Sequence, residues 1–174
     1  DPEKIETHLR LGGIFIQDNN TGEAETALKE ILAVDPSHQK AGLELADLYM
    51  SSGHPEKAEQ LLTDIAATPG KKPRKYTDLA RFLETRGKGD AAESNYKKAV
   101  DAASDDVFTL LNLAGFYTRR SMKEQALETM AHARSKGEHT STVLTELGRI
   151  YRWFGMLQEA ETTLNSVLDQ DETF

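Results

Sequence analysis

The sequence predicts an all-α chain built as a solenoid of helix-turn-helix repeats. Three observations predict it: self-similarity at a constant period, two apolar stripes of helical spacing inside each period, and a turn-forming residue between them. Residues 5–174 divide into five windows of 34 residues, 5–38, 39–72, 73–106, 107–140 and 141–174, without insertion or deletion. A fixed period of this size marks a stacked architecture in which each repeat is one supersecondary unit.

The first element of each window is a helix. Its seventh place reads Leu11, Leu45, Leu79, Leu113 and Leu147. The eighth is always small: Gly12, Ala46, Ala80, Ala114 and Gly148. The eleventh is large: Phe15, Tyr49, Leu83, Tyr117 and Tyr151. With the fourth place these positions form an i, i+3, i+4, i+7 stripe, one face of an α-helix. The fifteenth place then breaks the helix with Asn19, Gly53, Gly87, Ser121 and Gly155. Gly and Asn readily take the left-handed conformation that ends a helix. A second helix follows on the stripe of places 20, 24 and 27. The twentieth place is Ala24, Ala58, Ala92, Ala126 and Ala160, and the twenty-fourth is Leu28, Leu62, Tyr96, Met130 and Leu164. Small residues at places 8 and 20 let the paired helices approach closely, and the bulky ones fill the space beside that contact.

A second set of breakers separates the windows: Asp35-Pro36, Pro69-Gly70, the run Ala103-Ser104-Asp105-Asp106, and Lys136-Gly137. Pro55 fits the first position of a helix, where a missing N–H costs nothing. Lys71-Lys72-Pro73-Arg74 is the most linker-like stretch, yet the repeat phase runs through it unbroken. The expectation is a single array over residues 1–174.

Composition narrows the function. Net charge is −8, which argues against general affinity for nucleic acid or anionic lipid. Charge is uneven: residues 1–38 hold three Lys/Arg and eight Asp/Glu, whereas 107–140 hold five and three. Mean hydropathy is −0.57, as suits a thin stack with much of each repeat in water. There is no cysteine, so disulfides, thiolate zinc sites and a cysteine nucleophile are excluded. No apolar run is long enough to span a bilayer. The Asp1-Pro2 start leads us to expect a piece of a longer protein. The compartment, cytoplasm or periplasm and cell envelope, stays open.

Nothing marks catalysis, and neither metal nor cofactor is expected. The histidines are His8, His38, His54, His132 and His139, and no pair has the metalloprotease spacing; solvated surface positions are expected for them. Gly87-Lys88-Gly89-Asp90 lacks P-loop spacing and a preceding strand, and falls at an inter-helix turn.

These columns resemble the tetratricopeptide repeat family across residues 5–174. The family's tryptophan-like fourth place is degenerate here, as His8, Gly42, Tyr76, Leu110 and Leu144, and its proline near place 32 survives best at Pro36. The resemblance implies a right-handed α-solenoid whose first helices line a concave groove that binds peptides or partner helices without catalysis. Chaperone-reading members carry a two-carboxylate clamp of Lys, Asn, Asn, Lys and Arg at set places. The three possible registers give Leu9, Gly13, Glu44, Arg74, Asp78; then Leu43, Asp47, Asp78, Phe108, Asn112; then Thr77, Arg81, Asn112, Thr142, Glu146. None is the clamp.

The groove-facing candidates lie off the packing stripe of the first helices. In the later repeats they are Arg81, Asn112, Arg119, Arg149, Arg152 and Trp153, a cationic and partly aromatic set suited to acidic groups. The competing reading is ordinary surface pairing of these arginines with Asp78, Glu84 and Glu146. In the earlier repeats Ile16, Leu43 and Met50 form an apolar strip suited to an amphipathic helix or extended peptide, unless they pack against adjacent helices. The last repeat's Leu164, Val167 and Leu168 present an apolar face that is expected either to continue into further structure or to self-associate. The expected function is a protein-binding scaffold. The alternatives are a spacer or self-assembling unit, and a substrate-docking arm of a larger enzyme.

Overall fold

The computed structural model describes residues 2–70, 72–137 and 140–171. Among them are ten α-helices and no strand: α1 Pro2–Gln17, α2 Thr21–Val34, α3 Gln39–Ser51, α4 Pro55–Ala67, α5 Pro73–Thr85, α6 Gly89–Ala102, α7 Val107–Arg119, α8 Lys123–Ser135, α9 Thr140–Trp153 and α10 Leu157–Asp171. The second helices begin at 21, 55, 89, 123 and 157, a spacing of 34 throughout. Among the first helices, α3, α5 and α7 begin on the predicted window edges, while α1 and α9 begin earlier. Lys71, Glu138, His139 and Phe174 lie outside the described residues.

All five inter-helix turns close in the same way. Asn19, Gly53, Gly87, Ser121 and Gly155 all have positive φ, between 56° and 76°. The N–H of the next residue bonds back to the carbonyl of the place-11 residue: Asn20 to Phe15 at 2.7 Å, His54 to Tyr49 at 2.8 Å, and Lys88 to Leu83, Met122 to Tyr117 and Met156 to Tyr151 at 2.9 Å each. This is the six-to-one Schellman bond, which satisfies a carbonyl the helix end would otherwise orphan. Helix starts are marked as well, Pro55 as expected and His38 in place of the solvated position expected for it. Pro55 and Pro73 open α4 and α5. Asp106 caps α7 by accepting the Phe108 N–H at 3.0 Å, and His38 caps α3 by accepting the Ala41 N–H at 3.2 Å.

The chain divides into two compact units, residues 1–92 and 93–174. In the first, α1 packs on α2, α2 on α3, α3 on α4 and α4 on α5, and α3 also meets α5. In the second, α7 packs on α8, α8 on α9 and α9 on α10, and α7 also meets α9. First helices of neighbouring repeats thus stand side by side within each unit.

α3 and α9 each lie between two second helices, and the sequence places divide accordingly. Places 4 and 8 face the helix's own partner. A Cβ on Gly148 (place 8) would sit 2.7 Å from Leu164 Cγ, and one on Gly42 (place 4) would sit 2.5 Å from Ile65 Cδ1. Places 7 and 11 face the second helix of the preceding repeat, as the Tyr49 hydroxyl does in bonding Glu25 of α2 at 2.9 Å. Leu45, Leu79, Leu113 and Leu147 are buried, and so are all five alanines of place 20 on the second helices. Leu11 departs from the expected column and is 39% exposed. Its helix has no earlier repeat in this chain to pack against. His8 also departs from the solvated reading. Its Nε2 lies 2.5 Å from Glu30 and its Nδ1 2.7 Å from the Lys4 carbonyl, so α1 and α2 hold it between them.

Candidate functional site

The second unit carries a cavity of about 280 Å³ lined by Leu111, Gly115, Thr118 and Arg119 of α7, Met130 of α8, and Glu146, Arg149, Ile150 and Trp153 of α9. The helices position these groups by period. Leu111, Gly115, Thr118 and Arg119 are spaced 4, 3 and 1 along α7, and Glu146, Arg149, Ile150 and Trp153 are spaced 3, 1 and 3 along α9. Each set covers one helical face, and the two faces meet where α7 and α9 stand side by side.

Three of the sequence candidates therefore come together: Arg119, Arg149 and Trp153. Glycine at 115 gives Arg119 room to lie back along its own helix, since a Cβ there would be 3.2 Å from the guanidinium Nη1. Arg149 donates to Glu146 Oε1 at 2.8 Å across one helical turn. Surface pairing thus holds for that arginine, inside the cavity itself. Two guanidiniums, Arg119 and Arg149, and the Glu146 carboxylate thus line the same cavity. Trp153 is 62% exposed, so its indole forms a wall open to solvent.

The other candidates lie elsewhere. Arg152 is exposed on α9 and is not part of the cavity lining. The Asn112 amide donates to the Phe108 carbonyl of its own helix at 2.8 Å. Arg81 is exposed on α5 in the first unit, and its charge acts on Asp78. Burial raises the Asp78 carboxyl above its ordinary value, against the pull of the Gln39 amide at 2.8 Å and of the Arg74 and Arg81 charges. In the apolar strip, Ile16 and Met50 are exposed and Leu43 is half-buried. Toward the chain's last helix, Leu157 and Leu168 are exposed, while Leu164 and Val167 are half-buried.

The sequence reading missed a recurring polar clasp between repeats. The Tyr117 hydroxyl donates to Glu93 Oε1 at 3.0 Å, and Lys97 Nζ lies 2.7 Å from the same oxygen. Tyr49, Glu25 and Lys29 do the same, at 2.9 Å and 2.6 Å. In each, place 11 of one repeat meets places 21 and 25 of the repeat before. The lysine bond and then the tyrosine bond hold Glu25 below the ordinary carboxylate range. Glu93 is lowered chiefly by Lys97, with Tyr117 adding to it against desolvation. Where place 11 is Leu83, Glu59 turns to Lys88 Nζ at 2.7 and 2.8 Å. That pair engages the lysine of Gly87-Lys88-Gly89-Asp90 in a structural contact. Among the described residues no cluster of His, Asp and Glu could hold a metal ion, and no helix is long and apolar enough to cross a membrane.

Residues 15–81 match the family model for the tetratricopeptide repeat. Cellulose synthase operon protein C of Pseudomonas fluorescens (strain SBW25) is 25% identical over 174 aligned positions, covering 91% of this chain and 13% of its own length. The type IV pilus assembly protein PilF of Pseudomonas aeruginosa is 24% identical over 106 positions, covering 61% of this chain and 41% of its own. The chain thus spans less than half of either relative. Among solved structures, the MamA protein superposes with a TM-score of 0.66 at 19% identity, covering 99% of this chain and 94% of that one. The nearly identical TPR-like repeats of a Podospora anserina putative kinesin light chain give 0.69 at 20% identity, covering 99% and 97%. YrrB, described as a TPR protein with an unusual peptide-binding site, gives 0.59 at 15% identity, covering 93% and 84%. At these identities the structural likeness shows the fold.

Proposed function

We propose that this chain, a tetratricopeptide repeat protein, is a non-catalytic scaffold that grips a partner segment on the α7–α9 face, using Arg119 and Arg149 for an acidic group and Trp153 for an apolar neighbour. The observation that carries this reading is the meeting of those three side chains in one cavity. A guanidinium offers a planar fork of donors matched to a carboxylate. An exposed indole covers a large apolar contact at small entropic cost. Glu146 already occupies Arg149, so an incoming carboxylate must compete with it or share the fork. The two Pseudomonas relatives support a setting in a bacterial envelope assembly that handles polysaccharide or protein.

The test is capture on an array of peptides that pair an acidic residue with an aromatic or aliphatic one. Arg119→Ala/Arg149→Ala is expected to weaken every captured peptide and to remove the salt sensitivity of binding. Arg152→Ala, outside the cavity, is expected to change nothing. Equal binding by wild type and the double variant defeats the proposal. A second reading, self-assembly through the last helix pair, is favoured by Leu157 and Leu168, exposed at 69% and 61%. Mass measured against concentration separates the two, because a species that stays monomeric removes self-assembly and leaves peptide capture untouched.

A further inference from the structure

Four junctions join successive repeats, and the fourth is the one that keeps the tyrosine but lacks the glutamate. In the first and third, the place-11 tyrosine gives its hydroxyl to a glutamate of the preceding second helix, and a lysine one turn on seals the same oxygen. In the fourth, the tyrosine remains as Tyr151, but the glutamate and lysine positions hold Leu127 and Ala131. A cavity of about 300 Å³ opens there, lined by Leu127, Ala131, Arg134, Ser135, Leu147 and Tyr151. The Tyr151 hydroxyl makes no hydrogen bond among the described residues, and Arg134 makes no ion pair among them. The Ser135 hydroxyl is already given to the His132 carbonyl at 2.7 Å.

We propose that this open junction is a second binding site, which takes a glutamate or aspartate side chain of a partner protein in place of the missing internal carboxylate. The molecule itself shows twice what a tyrosine at this place bonds: a carboxylate oxygen at 2.9 Å and 3.0 Å, sealed by a cation from the second helix. At the fourth junction Tyr151 still supplies the hydroxyl, and Arg134, three residues beyond Ala131 on α8, supplies the cation. Leu127 supplies an apolar wall where the other junctions carry the glutamate stem, and Leu147, the leucine common to place 7, extends it. The ligand is therefore an acidic residue flanked by aliphatic ones. A neutral amide of the same shape lacks the charge that Arg134 would pair. This site lies between α8 and α9 and uses neither arginine of the α7–α9 cavity, so it stands or falls separately from that reading.

The experiment titrates the full chain with acetyl-Ala-Leu-Glu-Leu-Ala-amide and with its Gln counterpart, followed by amide NMR shifts at peptide concentrations into the millimolar range. The Glu peptide is expected to bind and to shift residues around Tyr151, with the Gln peptide weaker by about tenfold. Tyr151→Phe, which removes only the hydroxyl, is expected to weaken the Glu peptide several-fold. Leu127→Glu/Ala131→Lys rebuilds the internal clasp and is expected to abolish binding while raising the thermal midpoint. Arg119→Ala/Arg149→Ala is expected to leave it unchanged. Absence of binding, equal binding of the two peptides, undiminished binding to the rebuilt junction, or loss only in the Arg119/Arg149 variant each overturns the proposal.

Discussion

Replacing Gly148 by alanine tests the close helix crossing on which every repeat depends. In an exposed helix interior the change from glycine to alanine stabilises by about 0.8–1.0 kcal/mol, because glycine loses more backbone entropy. At Gly148 the new Cβ would lie 2.7 Å from both Cγ and Cδ2 of Leu164 and 3.3 Å from Cδ1. Carbon atoms at rest sit about 3.5–4.0 Å apart, so the overlap is roughly an ångström. It falls on Cγ, which a turn of the terminal methyl groups cannot move. Overpacking of this kind costs about 1–3 kcal/mol, so the net expectation is a loss of about 1 kcal/mol. Gly13 supplies the control, since a Cβ there meets nothing within 4 Å. Gly13→Ala should stabilise by about 0.5–1 kcal/mol. Urea denaturation reads both: Trp153 is the one tryptophan in the chain and reports on the second unit, and circular dichroism reports on the whole. Leu164→Ala introduced with Gly148→Ala should recover part of the loss, with a coupling of about 1 kcal/mol. If Gly148→Ala raises the midpoint as much as Gly13→Ala, the reasoning that places 8 and 24 touch is wrong.

Three further outcomes follow from the same geometry. Ala126 is fully buried at place 20, so Ala126→Leu should lower stability by at least about 1–3 kcal/mol, measured by the urea midpoint. Ser121 holds φ 58°, a left-handed conformation that glycine adopts at no steric cost, so Ser121→Gly should raise the thermal midpoint by an amount matching about 0.5–1 kcal/mol. Glu93 is held below its ordinary 4.5, so its clasp contributes stability that is present above that pH and lost as pH falls through the lower folded value. Melting from pH 7 to pH 3 should show wild type above Glu93→Gln at neutral pH and the two converging in acid; parallel curves throughout would dismiss the clasp as a source of acid sensitivity.

Much of the fold was legible because it is written in columns. The five turn residues were found from their common place in the repeat, four of them also from their type, and all five take positive φ, serine included. The position of a turn in the repeat settled the conformation even where the residue does not favour it. Leu11 failed because a column records what a repeat usually meets, and among the described residues no second helix stands on that side of α1. His8 failed for the opposite reason: residue type suggested solvent, while its place on the stripe set it against Glu30. In the candidate site, the sequence offered Glu146 as a surface partner of the arginines, and Arg149 does bond it, but residue type alone did not separate Arg152, which stays out of the cavity, from Arg119, Arg149 and Trp153, which line it. The tyrosine clasp left a trace in the sequence, since Glu and Lys at places 21 and 25 precede two of the three tyrosines of place 11. Recognising it needed knowledge of which faces of adjacent repeats touch, and that belongs to tertiary packing.

The common seal of the five turns bears on how such a chain can change length. Because each hairpin ends in the same backbone bond whether the residue is Asn, Gly or Ser, whole hairpins are interchangeable parts, and gaining or losing one preserves the phase of the rest. A single inserted residue does the reverse. Placed in α7 between Gly115 and Arg119, it would swing the guanidinium about 100° around the helix axis, away from α9, while leaving every helix intact.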